Sequence, residues 1–363
     1  MSKKTGRGGA AFGLFLAATC GGLGTDAAFA QEWEPEFVYG VLQALPDGFP
    51  SGPITVIAAG GETSTAGLLA LRLSEYSQTI TPVEIKVEFR DPGKFGSWEA
   101  LKYAAGAEGG ADGYLNVIFQ SPDDLIDLHT APVTAEVGVG LDDLAEVVTL
   151  EDHRYAVIQC KEASWDPTWE ALVQQIKDHP GEVRYAGGSP GALTDVIFAS
   201  YLNAVGIGSL YDKASINHAD VGDTAAQAAA VAACESDVAT TDMDQLITQK
   251  LGEKVDVILV SGAKRVSKFK EVPTATEAGI ADDPMNTSMQ VVVPAGIDPL
   301  HLKWLNALWS KVGTNSYYKA GRMLDQVVNL PNVLDAEASA ALNDATDAKV
   351  DEVTRLLGIN VAP

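Results

Sequence analysis

The stretch Pro53–Thr65 reads PITVIAAGGETST. Its first seven residues are a short apolar run rich in β-branched side chains. Gly60-Gly61 breaks the run, and Thr63–Tyr76 follows with leucines at 68, 69, 71 and 73. This is the signature of a strand, a glycine turn and a helix. Glycine lets a backbone approach a ligand, and Thr63, Ser64 or Thr65 can cap the helix. The first amides of a helix lack internal partners and its dipole favours an anion, so Gly60, Gly61, Thr63, Ser64 and Thr65 form a candidate carboxylate or phosphate site. An ordinary capped helix behind a tight turn needs the same residues, and Glu62 repels an anion unless it points away.

The same alternation continues outward. Val83–Phe89 (VEIKVEF) alternates as a half-buried strand does, Asp91-Pro92-Gly93 turns, Ser97–Ala105 is helical and Tyr114–Phe119 is a strand. Further strands are expected at Arg154–Gln159, Val183–Ala186, Asp237–Thr240, Val255–Val260 and Val291–Val293. Helices are expected at Trp169–Lys177, Leu193–Asn203 and Ala225–Ala233, and beyond Pro299 with one break at Leu330-Pro331-Asn332. Strands alternating with helices imply an α/β fold with largely parallel sheets.

A second turn, Gly187-Gly188-Ser189-Pro190-Gly191, lies between a strand and a helix and contains G-x-S-x-G, with Asp242 and His301 following. That is the order of a hydrolase nucleophile elbow. However, the residue after the serine must give a backbone N–H to the oxyanion, and here it is Pro190, which has none. Loss of one such donor costs about 10²–10³ in rate, so a binding or structural turn is the better reading. Ser189, Gly191, Ala192 and Thr194 are its candidate contacts, with Asp242 near the wall.

The formal charge of −24 leaves no basic stripe for nucleic acid. No two of the five histidines have helical ligand spacing, no CxxC or nucleotide-binding loop is present, and no metal or cofactor is expected. Trp98, Trp165, Trp169, Trp304 and Trp309 stand among apolar residues and read as core. Lys3, Lys4 and Arg7, the apolar Ala10–Thr19, and Ala28-Phe29-Ala30 form a signal peptide cleaved after Ala30; a lipid-anchored Cys20 is the alternative, though Thr19 is a poor residue to precede it. The roughly 330 residues that follow exceed the size at which one core keeps growing, so two domains are expected. Cys160 and Cys234 can pair in an oxidising compartment or remain two buried thiols.

Taken together, PITVIAAGG (53–61), Ala111-Asp112-Gly113-Tyr114, His179-Pro180-Gly181, Ser261-Gly262-Ala263-Lys264-Arg265, Val272-Pro273-Thr274-Ala275-Thr276-Glu277-Ala278-Gly279 and Val293-Pro294-Ala295-Gly296 resemble the solute-binding proteins of tripartite tricarboxylate transporters, the TctC or Bug family. The resemblance implies a periplasmic receptor, not an enzyme. Its fold would be a two-lobed, type II Venus-flytrap fold with two mixed, largely parallel sheets around a central cleft. Lobe 1 would hold 31–145 plus 262–363 and lobe 2 would hold 146–261. It further implies a small organic carboxylate as ligand, membrane permease subunits as partners and a monomeric state. A sensor module signalling to a membrane partner fits the same residues. The sequence departs from the family pattern at Thr63, where an acid is usual, at Gly67, where an arginine is usual, and at Ser288, where a tryptophan is common.

Overall fold

The computed structural model describes residues 33–107, 110–248, 250–280, 287–324 and 330–361. The signal-peptide expectation for residues 1–30 lies outside them.

A small hairpin, β1 (Phe37–Val38) and β2 (Val41–Leu42), precedes the first α/β units. These are β3 (Ile54–Ala59), α1 (Thr65–Ser77), β4 (Ile85–Arg90), α2 (Gly96–Gly106), β5 (Leu115–Ser121), α3 (Asp123–Thr130) and the short α4 (Val133–Glu136). The ten-residue β6 (Leu144–His153) follows, and the chain passes through Arg154 into β7 (Tyr155–Cys160). Next come α5 (Trp169–Asp178), β8 (Arg184–Gly187), α6 (Leu193–Ala204), β9 (Asn217–Asp220), α7 (Thr224–Ala232), β10 (Val238–Asp242), α8 (Met243–Thr248) and β11 (Val255–Val260). The chain ends with β12 (Thr287–Pro294), α9 (Pro299–Thr314), α10 (Ser316–Leu324), β13 (Leu330–Leu334) and α11 (Ala336–Leu357).

Two sheets carry the fold. One runs β13-β6-β12-β5-β3-β4 and the other β11-β7-β10-β8-β9. Both are mixed. Parallel pairing joins β3 to β4 and β5, and β8 to β9 and β10. The strands that cross between sheets, β6, β7, β11 and β12, pair antiparallel, so the parallel share is smaller than the alternation of strands and helices suggested.

Strand β7 shows why each sheet is covered on both faces. Ala156, Ile158 and Cys160 enter one hydrophobic cluster with α7 residues Ala228 and Val231, while Tyr155 and Val157 enter another with Trp169, Leu172 and Phe198. Alternate side chains leave a strand in opposite directions, so a strand buried on both faces reads as a continuous apolar run. Trp98, Trp169, Trp304 and Trp309 are fully buried, as expected of core residues, whereas Trp165 is only half-buried at the edge of the core, where its Nε1 donates to Gln159 Oε1 (3.0 Å).

The expected break at 330–332 is instead a strand. β13 pairs antiparallel with β6 at the edge of its sheet, where the missing N–H of Pro331 is tolerated. Cys160 and Cys234 are bonded, with Cα atoms 5.3 Å apart, which tethers the end of β7 to the turn after α7. The motif at 272–279 is a structural turn: Thr274 N–H donates to Glu277 Oε2 (3.0 Å), Glu277 N–H donates to Thr274 Oγ1 (3.2 Å), and Arg265 Nε donates to the same carboxylate (2.8 Å).

Candidate functional site

The strand registers bring one end of each sheet to the crossover. In the six-stranded sheet, Ala59 stands beside Arg90, Ser288 beside Ser121, and Thr287 beside His153. In the five-stranded sheet, Asp242 stands opposite Tyr155, Val260 opposite Ala156, and Gly187 beside Asp220. The crossing segments are laced together. Arg154 Nη1 donates to Ser261 O (2.8 Å), Tyr155 N–H to Ser261 Oγ (3.0 Å) and Met243 N–H to Arg154 O (3.1 Å). The turns after β3, β5, β8 and β10 therefore all open toward the crossover, at the carboxyl ends of parallel strands, where α/β sheets bind ligands.

The first turn is tightly wound. Ser64 is the N-cap of α1: its Oγ accepts from Gly67 N–H (3.0 Å) and donates to Gly61 O (2.8 Å), and Ser64 N–H also donates to Gly61 O (3.0 Å). The Ser64 hydroxyl is thus committed to the turn itself. Gly60 N–H donates to Arg90 O (2.8 Å). Gly61, Glu62, Thr63 and Thr65 are exposed, and among the described residues their N–H groups have no partner. The donors left for an anion are those amides and the Thr63 and Thr65 hydroxyls.

The three glycines of this turn differ in kind. Gly60 has φ +115°, and a Cβ there would meet Ser64 Oγ at 2.7 Å. Gly61 has nothing within 4 Å of a Cβ and is not in the left-handed region, so openness rather than glycine geometry marks it. Gly67 is buried, and a Cβ would collide with the Gly61 carbonyl oxygen. This tight wrap leaves no space for a larger side chain at 67.

The second turn is fixed from behind by a carboxylate. Asp195, fully buried in the first turn of α6, accepts from Gly188 N–H (3.1 Å), from Tyr211 Oη (3.0 Å) and pairs with His218 Nε2 (2.7 Å). Tyr211 Oη also accepts from Gly191 N–H (3.2 Å), and burial together with the Asp195 charge pushes its phenol up. A Cβ at Gly187 would strike His218. Sequence reasoning missed Asp195, Tyr211 and His218, because the partners lie 16 and 23 residues from the aspartate and follow no helical or strand spacing.

Ser189 is exposed, Gly191 and Ala192 are half-buried, and Thr194 is 3% exposed with its Oγ1 unpartnered among the described residues. Gly191 lies against Thr130 of α3, so the second turn reaches the helix that follows β5. Among the described residues Asp242 joins neither turn through a hydrogen bond; its Oδ1 accepts from Asp244 N–H (2.7 Å). The hydrolase arrangement is not assembled. His301 has Nδ1 on Asp112 O (2.8 Å) and Nε2 on Asp47 Oδ2 (3.1 Å), and its ring stacks on Phe49.

The crossover region is acidic. Burial pushes the Asp242 carboxyl up, with His153 acting in the opposite direction. Asp127 is pushed up to about 7 by burial and by the Asp123 charge. Asp123 is itself raised by the protein around it, although its surface is exposed. Burial and the charges of Asp242 and Asp123 raise the Tyr155 phenol. Behind β6, burial opposes ionisation of Glu151, yet His153 and Arg322 hold its carboxyl far below the usual range. Arg322 Nε (2.7 Å) and Tyr318 Oη (2.5 Å) both donate to its Oε1. Ser288 is buried in a polar cluster, where its Oγ accepts from Gln290 Nε2 (2.9 Å), and Gln290 in turn bonds Asn343 of α11.

No protein-family model and no curated protein sequence matches the chain. Its fold matches that of a TctC solute-binding protein from Polaromonas, with 18% identity and a TM-score of 0.70 over 85% of this chain and 99% of that one. It also matches an R. palustris protein solved with adipate, at 15% identity and a TM-score of 0.63 over 85% and 98%. A third match is MatC from Rhodopseudomonas palustris with bound malate, at 16% identity and a TM-score of 0.58 over 84% and 99%. What is shared at these identities is the fold.

Proposed function

We propose that this chain, built on the fold of the TctC-type solute-binding proteins, is a periplasmic receptor that captures a small organic carboxylate and delivers it to a membrane permease. The observation that carries the reading is the pair of strand–turn–helix N-termini opening to one crossover, the first with exposed, unpartnered amides. One carboxylate binds the Gly61–Thr65 amides and the hydroxyls of Thr63 and Thr65. The distal part of the ligand meets Ser189, Gly191, Ala192 and Thr194. The adipate and malate found in two proteins of the same fold support a carboxylate as the ligand class.

Hydrogen bonds to a charged group contribute about 1.5–3 kcal/mol each. Three or four, less the cost of ordering ligand and protein, reach micromolar affinity, about −8 kcal/mol. Because β6 (Leu144–His153) pairs within the six-stranded sheet, the division falls at Arg154 rather than at the 145/146 boundary expected from the sequence, and the two lobes close as hinged bodies at Arg154 and Ser261, with the closed form selected by contacts to both. The Cys160–Cys234 bond supports an oxidising compartment.

Protein recovered from the periplasmic fraction of an expressing host tests the reading. A thermal-shift panel of mono-, di- and tricarboxylates and uncharged analogues should give a saturable rise with one acid class. Ligand at a hundred times its dissociation constant adds about 2.7 kcal/mol. A flat response from refolded, ligand-free protein would remove the receptor assignment.

A further inference from the structure

Three groups from two distant segments of the chain meet at the crossover. His153 at the end of β6, Asp242 at the end of β10 and Asp244 just beyond it offer ligand atoms that all lie within 4.8 Å of one another. Metal–ligand bonds of about 2.0–2.2 Å allow two donors on one ion to stand up to about 4.4 Å apart, so small side-chain shifts suffice. His153 belongs to the six-stranded sheet and Asp242 to the five-stranded one, so the cluster spans both. His153 is 3% exposed, and Glu151 Oε2 stands 3.7 Å from its Nε2. A carboxylate behind an imidazole fixes the ring when its other nitrogen takes a metal.

A second, independent observation points to a ligand at the same place. Thr287 stands directly opposite His153 in the strand register, so the two side chains share one face of the sheet. It is 5% exposed, and its Oγ1 faces the Tyr155 phenol without a hydrogen bond of full geometry to any group among the described residues. Buried hydroxyls are almost always satisfied by protein, water or an ion. The acidic surroundings supply a further reason. A carboxylate ligand approaching Asp123, Asp242 and Asp244 is repelled unless positive charge intervenes, and Arg154 nearby is already engaged with Ser261 O.

We propose that His153, Asp242 and Asp244 hold one divalent cation of the Mn²⁺ or Zn²⁺ class, and that this cation is an anchor for the bound carboxylate. One imidazole with two carboxylates suits these borderline ions better than Ca²⁺ or Mg²⁺, which prefer oxygen alone. Three protein donors leave at least one coordination position open to water, the Thr287 hydroxyl or the ligand. The cation site stands by itself; its role as an anchor rests on the receptor reading.

The test is titration calorimetry on full-length exported protein stripped with EDTA. Mn²⁺ and Zn²⁺ are added alone, with Ca²⁺ and Mg²⁺ as comparisons, followed by malate or adipate with and without the cation. The expected result is one saturable Mn²⁺ or Zn²⁺ site per chain, weakened at least tenfold in both His153→Gln and Asp244→Asn. Circular dichroism must show both variants folded; if either is not, Asp242→Asn takes its place. Carboxylate affinity should rise at least tenfold when the cation is present. No saturable site, or a site indifferent to these substitutions, overturns the cation assignment. Carboxylate binding that is equal in EDTA and in cation overturns the anchoring role. Failure of every carboxylate to bind, with the cation site intact, counts against the receptor reading alone.

Discussion

Alanine placed in turn at Gly60, Gly61 and Gly67 separates three physical reasons for glycine within one turn. Gly61→Ala meets nothing within 4 Å and an ordinary backbone, so its stability should change by less than about 0.5 kcal/mol. Gly60→Ala must hold φ +115° with Ser64 Oγ 2.7 Å from the new methyl group. A strained positive φ costs about 1–3 kcal/mol. In Gly67→Ala the new methyl group displaces the Gly61 carbonyl, which accepts from both the N–H and the Oγ of Ser64. Two hydrogen bonds at about 0.5–1.5 kcal/mol each are at risk, partly offset by the ~1 kcal/mol that alanine gains over glycine in a helix. Urea denaturation gives the stabilities, and calorimetry with the best acid from the panel gives the affinities. Stability should fall at both 60 and 67 and change hardly at all at 61. Because the carbonyl carries the amides with it, affinity should drop severalfold in Gly67→Ala. A Gly67→Ala protein that is stabilised by a full ~1 kcal/mol and binds as tightly as the parent would refute the clamped turn.

Other consequences can be measured separately. Replacing Cys160 and Cys234 by serine frees a loop of 74 residues, worth about 4 kcal/mol in the chain-entropy account, and the denaturation midpoint should fall accordingly. Arg322→Met strands the buried Glu151 carboxylate and should cost about 3–5 kcal/mol by equilibrium unfolding, with Tyr318 left as a donor. Asp127 titrates near 7 in the folded protein against 3.8 unfolded, so the folded state binds the extra proton between those values. Melting temperature should therefore rise as pH falls from 8 to 5, and Asp127→Asn should flatten that slope. Glu151 acts in the opposite sense: its stabilisation is present above its unfolded value of about 4.5 and is lost as pH falls toward its depressed folded value. A melting temperature that falls as pH is lowered from 8 to 5 would contradict the Asp127 sign, whereas the Glu151 sign is read only below about pH 4.5.

The first turn was legible because every signal in it is local. Apolar run, glycine, hydroxyl cap and leucine periodicity all fall within about one strand and one helix. Most of the parts that were not legible share one cause, which is polar residues inside the protein. β12 shows only Val291–Val293 to a pattern search, since Ser288 and Gln290 look like surface until Asn343 is found bonded to Gln290. β6 carries Glu146, Glu151 and Asp152, so its ten residues do not alternate as a strand should. α3 begins with acids that resemble a loop, and Pro331 disguises an edge strand as a helix break. The His153–Asp242–Asp244 cluster lies beyond any spacing rule, because about ninety residues separate His153 from the two aspartates and only the antiparallel return of the chain joins them.

The position of β12 bears on the order in which this molecule can be made. It sits between β5 and β6, pairing antiparallel with both, yet it follows them by more than a hundred residues of chain. Until residue 294 is available, β5 and β6 have no neighbour to join them, and the six-stranded sheet exists only as a parallel fragment and a stray strand. α11 comes later still, and its Asn343 and Val353 complete contacts at β12 and in the core behind β7. Such high contact order makes folding slow and close to all-or-none. On the proposed reading, in which the chain is exported before it folds, delay of this kind would keep the leading segments pliable until the last strand has crossed.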